Sequence, residues 1–242
     1  MTIGPSERLG RAAPGQFLQV RIGEGHDPLL RRPFSVHEVD RRKGLASLLF
    51  QVRGRGTVWL AARQPGEALD VMGPLGRGFP QPLPEVTNVL VAGGIGVAPL
   101  FFLAQELASA GRRVVFLFGA ASRDKLWRLV ALQQLGLELA VATEDGSLGY
   151  RGLVTGLLQN YLAEKTGSTV VYACGPREML REVARLGRES GLPVFVCLEQ
   201  VMACGIGVCL GCAVPTRHGY VRVCKEGPVM AAEEVRWDGT GS

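Results

Sequence analysis

Histidine is scarce in this 242-residue chain: His26, His37 and His218 are the only three, and they share no metal-ligand spacing. Surface or local structural roles are expected for them. A dense basic stripe is missing too. The formal charge of +5 comes from 27 Lys and Arg against 22 Asp and Glu, but the arginines are scattered. They form pairs such as Arg31-Arg32 and Arg112-Arg113, and one triplet, Arg41-Arg42-Lys43. Nucleic-acid binding favours clustered basic charge interleaved with aromatics, so that function is not expected. Anionic cofactors or an acidic protein partner account for the excess as well. There is no low-complexity tract and no sustained short repeat. With 47% apolar and 20% charged residues, wholesale disorder is excluded, and the length allows a real core without staples.

A membrane span is imitated once. Val86–Gln105 runs twenty residues without a charge, long enough to cross a bilayer. Asn88, Gly93, Gly94, Gly96 and Pro99 interrupt it, and a buried strand, turn and helix is the better reading. The N-terminal MTIGPSERLGRAAPGQF lacks the basic, apolar, small-residue order of a secretory signal. No membrane association and a cytoplasmic location are therefore expected, with the six cysteines reduced or metal-bound.

Three textures follow one another. Residues 1–80 carry short β-like runs broken by Gly and Pro: Phe17–Ile22, Phe34–Val39, Ala46–Val52 and Ala68–Met72. That spacing predicts a small antiparallel barrel. Phe79–Pro84 is proline-rich and reads as a linker. Residues 85–198 alternate continuous apolar runs with helical stretches. The runs are Val86–Ala92, Val114–Phe118, Leu137–Ala142, Thr169–Ala173 and Pro193–Leu198. The helical stretches are Ala98–Ala110, Asp124–Leu135, Leu153–Leu162 and Arg177–Glu189. A parallel sheet covered by helices is predicted. Residues 199–242 form a cysteine-rich module, with short β-like runs at Ala213–Pro215 and Tyr220–Val223.

That module carries the most specific signal. Cys204, Cys209 and Cys212 are spaced C-x4-C-x2-C, and Cys224 follows after eleven residues. This is the plant-type [2Fe–2S] spacing, in which each iron takes two thiolates beside two bridging sulfides. Gly205, Gly207 and Gly211 give the loop unusual φ values and let N–H groups approach the sulfurs. The competing readings are structural zinc, which prefers two short cysteine pairs, and disulfides. Cys197 lies inside an apolar run and reads as core.

Two turns at predicted strand ends suit a dinucleotide. Gly93-Gly94-Ile95-Gly96-Val97-Ala98-Pro99 joins a strand to a helix, where small residues and free N–H groups accept phosphate. Pro99 occupies the last position of G-x-G-x-x-G, and a merely structural tight turn is the alternative. Ser122 and Arg123 stand where an acidic ribose binder is usual and suit a 2′-phosphate. In Cys174-Gly175-Pro176, Cys174 is either a border of the nicotinamide or a small buried residue. Thr143–Gly146 marks a third strand end, as a ligand loop or a polar turn. In the barrel, Arg32 and Ser35 can bind a phosphate with charge plus hydroxyl. Leu49-Phe50-Gln51 can line a ring, and Gly54-Arg55-Gly56-Thr57 can open a helix onto a pyrophosphate.

The order R-P-F-S, G-x-G-T, G-G-I-G-V-A-P, C-G-P resembles the ferredoxin–NADP reductase superfamily. Residues 197–212 narrow this, being similar to the electron-transfer subunits of NAD-dependent dihydroorotate dehydrogenases, enzymes of pyrimidine biosynthesis. The resemblance implies FAD at Arg32, Pro33, Phe34, Ser35, Leu49, Phe50, Gln51, Gly56 and Thr57. It implies a [2Fe–2S] cluster on Cys204, Cys209, Cys212 and Cys224, while the two turns at strand ends offer Gly93, Gly94, Gly96, Cys174 and Gly175 to NAD. It further implies an FMN-bearing catalytic subunit as partner, in a heterotetramer of two subunits each. Electrons would pass from dihydroorotate through FMN, [2Fe–2S] and FAD to NAD+, with no acid–base residue required of this chain. The alternative is a flavin reductase subunit of a hydrogenase, sulfur reductase or glutamate-synthase-like complex. Such barrels begin with a further strand before P-G-Q-F; only thirteen residues precede Pro14, so an incomplete barrel is expected.

Overall fold

Alternation decides the first sheet. The computed structural model describes residues 1–23, 25, 27–80, 85–164 and 167–238. His26 and the prolines of residues 81–84 lie outside these. In strand β2 (Phe17–Val20), Leu18 and Val20 enter the barrel core with Ile22, Val36 and Leu48. Phe17 points the other way, into a core shared with Met202, Cys212 and Cys224. Around β2 stand β1 (Thr2–Ile3), β3 (Arg32–Asp40), β4 (Leu45–Leu48) and β5 (Val71–Leu75), all antiparallel in the order β1-β4-β3-β2-β5. Short helices α1 (Glu7–Gly10) and α2 (Arg55–Ala61) accompany them. The two-residue β1 pairs with β4, so residues ahead of Pro14 do enter the sheet.

The second sheet follows from strands apolar on both faces. All seven residues of β6 (Thr87–Gly93) are buried. Val89 and Val91 pack on one side with Leu158 and Leu180; Leu90 and Ala92 pack on the other with Leu100 and Phe101. A 3-10 turn at Gly94–Gly96 leads into α3 (Val97–Ser109). Then come β7 (Val114–Ala120), α4 (Leu129–Gln134), β8 (Glu138–Thr143), β9 (Tyr150–Arg151), α5 (Val154–Glu164), β10 (Thr169–Cys174), α6 (Arg177–Glu189) and β11 (Val194–Cys197). In the module, β12 (Ala213–Thr216) and β13 (Gly219–Arg222) form a hairpin. The last strand, β14 (Val229–Ala231), leaves the module and pairs antiparallel with β11. The seven-stranded order is β14-β11-β10-β6-β7-β8-β9.

Three expected elements differ, each for a physical reason. The run Ala46–Val52 stays in the ladder only to Leu48, because Leu49–Gln51 turn out to line a cavity. The last barrel strand is displaced to Val71–Leu75. The stretch Asp124–Leu135 is broken at Arg128, whose φ is +67°. Arg128 lies 4.9 Å over the Phe101 ring and 2.9 Å from Glu38, so its side chain reaches back to the barrel. His37, next to Glu38, is buried: its Nδ1 is 3.0 Å from the Ala98 carbonyl and its ring packs on Phe101. This contact ties the barrel to the start of α3, a local structural role. His218 is exposed.

Candidate functional site

A cavity of about 490 Å³ opens where barrel, parallel sheet and cysteine module meet. β3 supplies Pro33, Phe34 and Ser35, and the segment after β4 supplies Leu49, Phe50 and Gln51. The rings of Phe34 and Phe50 lie 5.4 Å apart. Opposite them are Ile95, Ala98 and Pro99 from the glycine turn and α3. The third wall is Leu198–Met202, the entry to the module. An apolar slot with a few polar edges fits a flavin ring. Arg32 lines no part of the slot; it stands beside Gly56, where an added Cβ would be 3.5 Å from the Arg32 side chain. The Thr57 hydroxyl accepts the N–H groups of Arg53 and Gly54 at 2.9 and 3.1 Å, fixing the start of α2.

The walls that were not among the expected site residues are Phe17, Arg53, Ile95, Ala98, Pro99, Cys197–Met202 and Pro228. Phe17, Ile95, Ala98, Pro99 and Cys197–Met202 lie inside motif segments of the sequence, whereas Arg53 and Pro228 carried no signal. Glu199 is the most notable: the residue is exposed overall, yet desolvation at its carboxyl raises its pKa above the usual carboxylate value, and Arg53 pulls it back in part. A larger groove of about 1630 Å³, between α6 and the module, holds none of the expected site residues.

The glycine turns divide into two kinds of position. At Gly96 an added Cβ would lie 2.0 Å from the Cys174 carbonyl oxygen; at Gly93 it would lie 2.5 Å from the Met179 sulfur. At Gly175, with φ +158°, it would meet the Gly93 backbone at 3.0 Å. These three let the two turns pack against each other. Gly94 alone, at φ +53°, has nothing within 4 Å of its added Cβ. The structural and the ligand-approach readings therefore apply to different glycines. Cys174 is buried, in register with Cys197 on the neighbouring parallel strand. Hydrogen bonding to Cys197, then burial, raises its thiol well above the ordinary value. Cys197 lines the flavin-sized cavity; Cys174 does not. Ser122 is bonded to Asp124, and Thr143 closes its turn on Leu148 at 2.8 Å.

The four module cysteines are free thiols. Among the described residues no three His, Cys, Asp or Glu side chains converge as a site for one metal ion. Instead backbone hydrogen bonds link the cysteines two by two, the Cys209 N–H to Cys204 Sγ and the Cys224 N–H to Cys212 Sγ. A four-cysteine zinc site gathers every thiolate on one ion, whereas a two-iron cluster takes two per iron. The pairing fits the cluster. So does the supply of donors: the N–H groups of Val208 and Cys209 point to Cys204 Sγ at 3.3 and 3.5 Å, and that of Cys224 to Cys212 Sγ at 3.4 Å. Backbone N–H groups, that of Cys209 first, bring the Cys204 thiol down to about 6. Burial, then the Cys212 sulfur, pushes Cys224 up to about 12. Positive φ at Gly205 (+70°) and Gly207 (+85°) bends the loop into this shape.

An antiparallel flavin-type barrel joined to a parallel dinucleotide domain, with a cysteine module at their seam, defines a reductase of the ferredoxin–NADP reductase fold. Two family profiles match: "Iron-sulfur cluster binding domain of dihydroorotate dehydrogenase B" over residues 199–236 and "Oxidoreductase NAD-binding domain" over residues 90–185. A protein of Desulforamulus reducens named "Dihydroorotate dehydrogenase B (NAD(+)), electron transfer subunit" is 45% identical over 232 residues, covering 94% of this chain and 88% of that one. A Bacillus cereus protein of the same name is 41% identical over 229 residues, covering 92% and 86%. The chain belongs to this family of electron transfer subunits. Among solved structures, an NADH-dependent reduced ferredoxin–NADP oxidoreductase superposes with a TM-score of 0.85 at 29% identity, over 98% of this chain and 88% of that one. The cytochrome b5 reductase domain of Ulva prolifera nitrate reductase shares the fold alone, with a TM-score of 0.63 at 16% identity over 75% and 82%.

Proposed function

We propose that this chain carries electrons between a dihydroorotate-oxidising, FMN-bearing catalytic subunit and NAD+, using a [2Fe–2S] cluster on Cys204, Cys209, Cys212 and Cys224 and an FAD. One observation carries the reading: the ring-sized cavity has the glycine turn's Ile95 on one wall and the cluster module's Leu198–Met202 on another. A flavin supplies the link there, because it exchanges hydride with nicotinamide and single electrons with an iron–sulfur cluster. The chain's own work is placement. Pro33, Phe34, Ser35 and Leu49–Gln51 hold the ring side, and Arg32 beside Gly56 offers charge to a pyrophosphate. Gly94 leaves room for dinucleotide phosphates, and Gly93, Gly96, Cys174 and Gly175 shape the turns around them. Apolar walls exclude water from the reacting rings.

The catalytic subunit is proposed to dock over the cluster loop. Ile206, Val208 and Leu210 are exposed there, with Val201 just before it, an apolar set that a lone soluble surface rarely presents together. A two-plus-two heterotetramer and a cytoplasmic setting, where thiols stay available to iron, are part of the proposal. Among the described residues no helix is long and apolar enough to cross a membrane. The 45% identity to a dihydroorotate dehydrogenase subunit favours this partner over other reductase complexes. Co-expression with the catalytic subunit tests the reading. The complex is expected to reduce NAD+ with dihydroorotate, while the chain alone oxidises NADH with artificial acceptors only. A complex without that activity, or a chain holding zinc and no acid-labile sulfide, refutes it. Light scattering of the complex checks the stoichiometry.

A further inference from the structure

β2 carries one residue that its pattern does not explain. Between Leu18 and Val20, both in the barrel core, Gln19 is fully buried, on the same side of the strand as Phe17. Neither its Nε2 nor its Oε1 has a hydrogen-bond partner. An amide taken out of water without a partner is costly and is seldom kept without a role. Its surroundings name the partner. Gln19 packs against Gly205, the residue after Cys204: an added Cβ on Gly205 would lie 2.7 Å from Gln19 Cγ and 2.8 Å from Nε2. Gly205, at φ +70°, thus leaves the space that the amide fills. Gln19 is not a wall of the flavin-sized cavity, although Phe17, two residues earlier on the same strand, is. The amide faces the cluster loop from the barrel.

We infer that Gln19 is a tuning residue for the cluster: with the cluster bound, its side-chain N–H, unpartnered here, donates to a sulfur on the Cys204 side. The backbone N–H groups of Val208 and Cys209 already serve that sulfur from the loop itself. Gln19 adds a donor from a different domain, so barrel and cluster are coupled electrostatically. A donor to sulfur stabilises the reduced cluster, which carries one more negative charge, and so raises the reduction potential. The inference rests on the proposed cluster ligation.

The test is a redox titration of the holo complex, followed by the electron paramagnetic resonance of the reduced cluster, for wild type and Gln19→Leu. The variant removes the donor and keeps an apolar filling. Its one-electron reduction is expected to become about tenfold less favourable, a shift of about 59 mV to lower potential. A shift of less than threefold, or one to higher potential, overturns the inference, since a purely packing role leaves the potential in place. If Gln19→Leu loads no cluster, wild type labelled with 15N at glutamine side-chain amides decides. A 15N coupling to the reduced cluster in pulsed resonance supports the inference, and its absence overturns it. A wild-type complex with no cluster signal at all sinks the ligation itself, and Gln19's role with it; a normal signal with an unmoved potential sinks only the latter.

Discussion

Two alanine substitutions two residues apart, in the same turn, separate packing from ligand approach. At Gly96 the new methyl would sit 2.0 Å from the Cys174 oxygen, 2.4 Å from its carbonyl carbon and 2.8 Å from the Gly175 nitrogen. All three are backbone atoms, so no side chain can swing away. The two turns must part until those contacts reach ordinary van der Waals range. Overpacking of this kind costs about 1–3 kcal/mol, and a backbone-on-backbone clash belongs at the upper end, about 3 kcal/mol. The entropy that alanine removes from the unfolded chain, about 0.4–1 kcal/mol, does not offset it. At Gly94 nothing lies within 4 Å, and the only structural penalty is the left-handed φ of +53°. That is roughly 1–2 kcal/mol for an alanine. Yet the methyl projects into the space proposed for the dinucleotide phosphates, where a misplaced close contact of about 1.4 kcal/mol means a tenfold loss of affinity.

The expected pattern is therefore crossed. Gly96→Ala lowers unfolding free energy in urea more than Gly94→Ala, while Gly94→Ala raises the NADH dissociation constant at least tenfold in the flavin-loaded chain. Urea unfolding and NADH titration measure the two axes separately. If Gly94→Ala binds NADH within twofold of wild type, phosphates do not approach over Gly94. If Gly96→Ala costs less than about 1 kcal/mol, the two turns are not packed as tightly as argued.

Cys212→Ser removes one thiolate of the Cys212–Cys224 pair and is expected to abolish the cluster's resonance signal and cut bound iron and labile sulfide together, by metal analysis. Glu199 has a folded pKa raised by burial, so the folded state holds its proton more tightly than the unfolded chain. Stability is then highest below the unfolded value of 4.5 and falls as pH rises through the raised folded value. Glu199→Gln should flatten that slope, by urea denaturation at a series of pH values. Val208, 74% exposed on the cluster loop, is replaced by aspartate to test the docking face. Val208→Asp should weaken binding of the catalytic subunit by at least about tenfold in a pull-down titration, with the resonance signal retained. In the apo chain iodoacetamide should reach exposed Cys209 quickly and buried Cys174 only on unfolding, as peptide mapping would read out.

The sequence betrays its sheets through period and its cluster through spacing, because both are local. β6 reads as a central strand since seven consecutive residues suit burial on two faces. The cysteine spacing is local, and the fold links Cys204 to Cys209 and Cys212 to Cys224 through N–H groups that point to sulfur. What escaped is non-local. Glu199 looks like a polar residue beside a strand, and only the folded arrangement makes it a wall of the flavin-sized cavity. Gln19 reads as an outward polar position in an alternating strand, and only the arrival of Gly205 from far along the chain makes it interior. Arg128 breaks an otherwise helical stretch because its partner Glu38 lies ninety residues earlier, on another sheet. The glycines of the first turn are alike in sequence, yet only the approach of Cys174 and Gly175 separates the packed Gly96 from the open Gly94.

β14 explains why the three units act as one. After Cys224 the chain could have ended in the module; it returns to pair with β11, in the parallel sheet. On the way, Pro228 presses on Gly76 of the barrel, where an added Cβ would lie 2.6 Å from its ring, and Val229 presses on Gly15 at 2.7 Å. The Arg77 N–H donates to the Gly227 carbonyl at 2.6 Å across the same seam. Pro228 is also a wall of the flavin-sized cavity. The segment that follows Cys224 is thus sewn to the barrel on one side and to the parallel sheet on the other. A shift of the module would have to break the β11–β14 ladder and open the barrel seam together. Cofactors held by separate units keep a fixed separation only if those units cannot slide, and this strand removes that freedom.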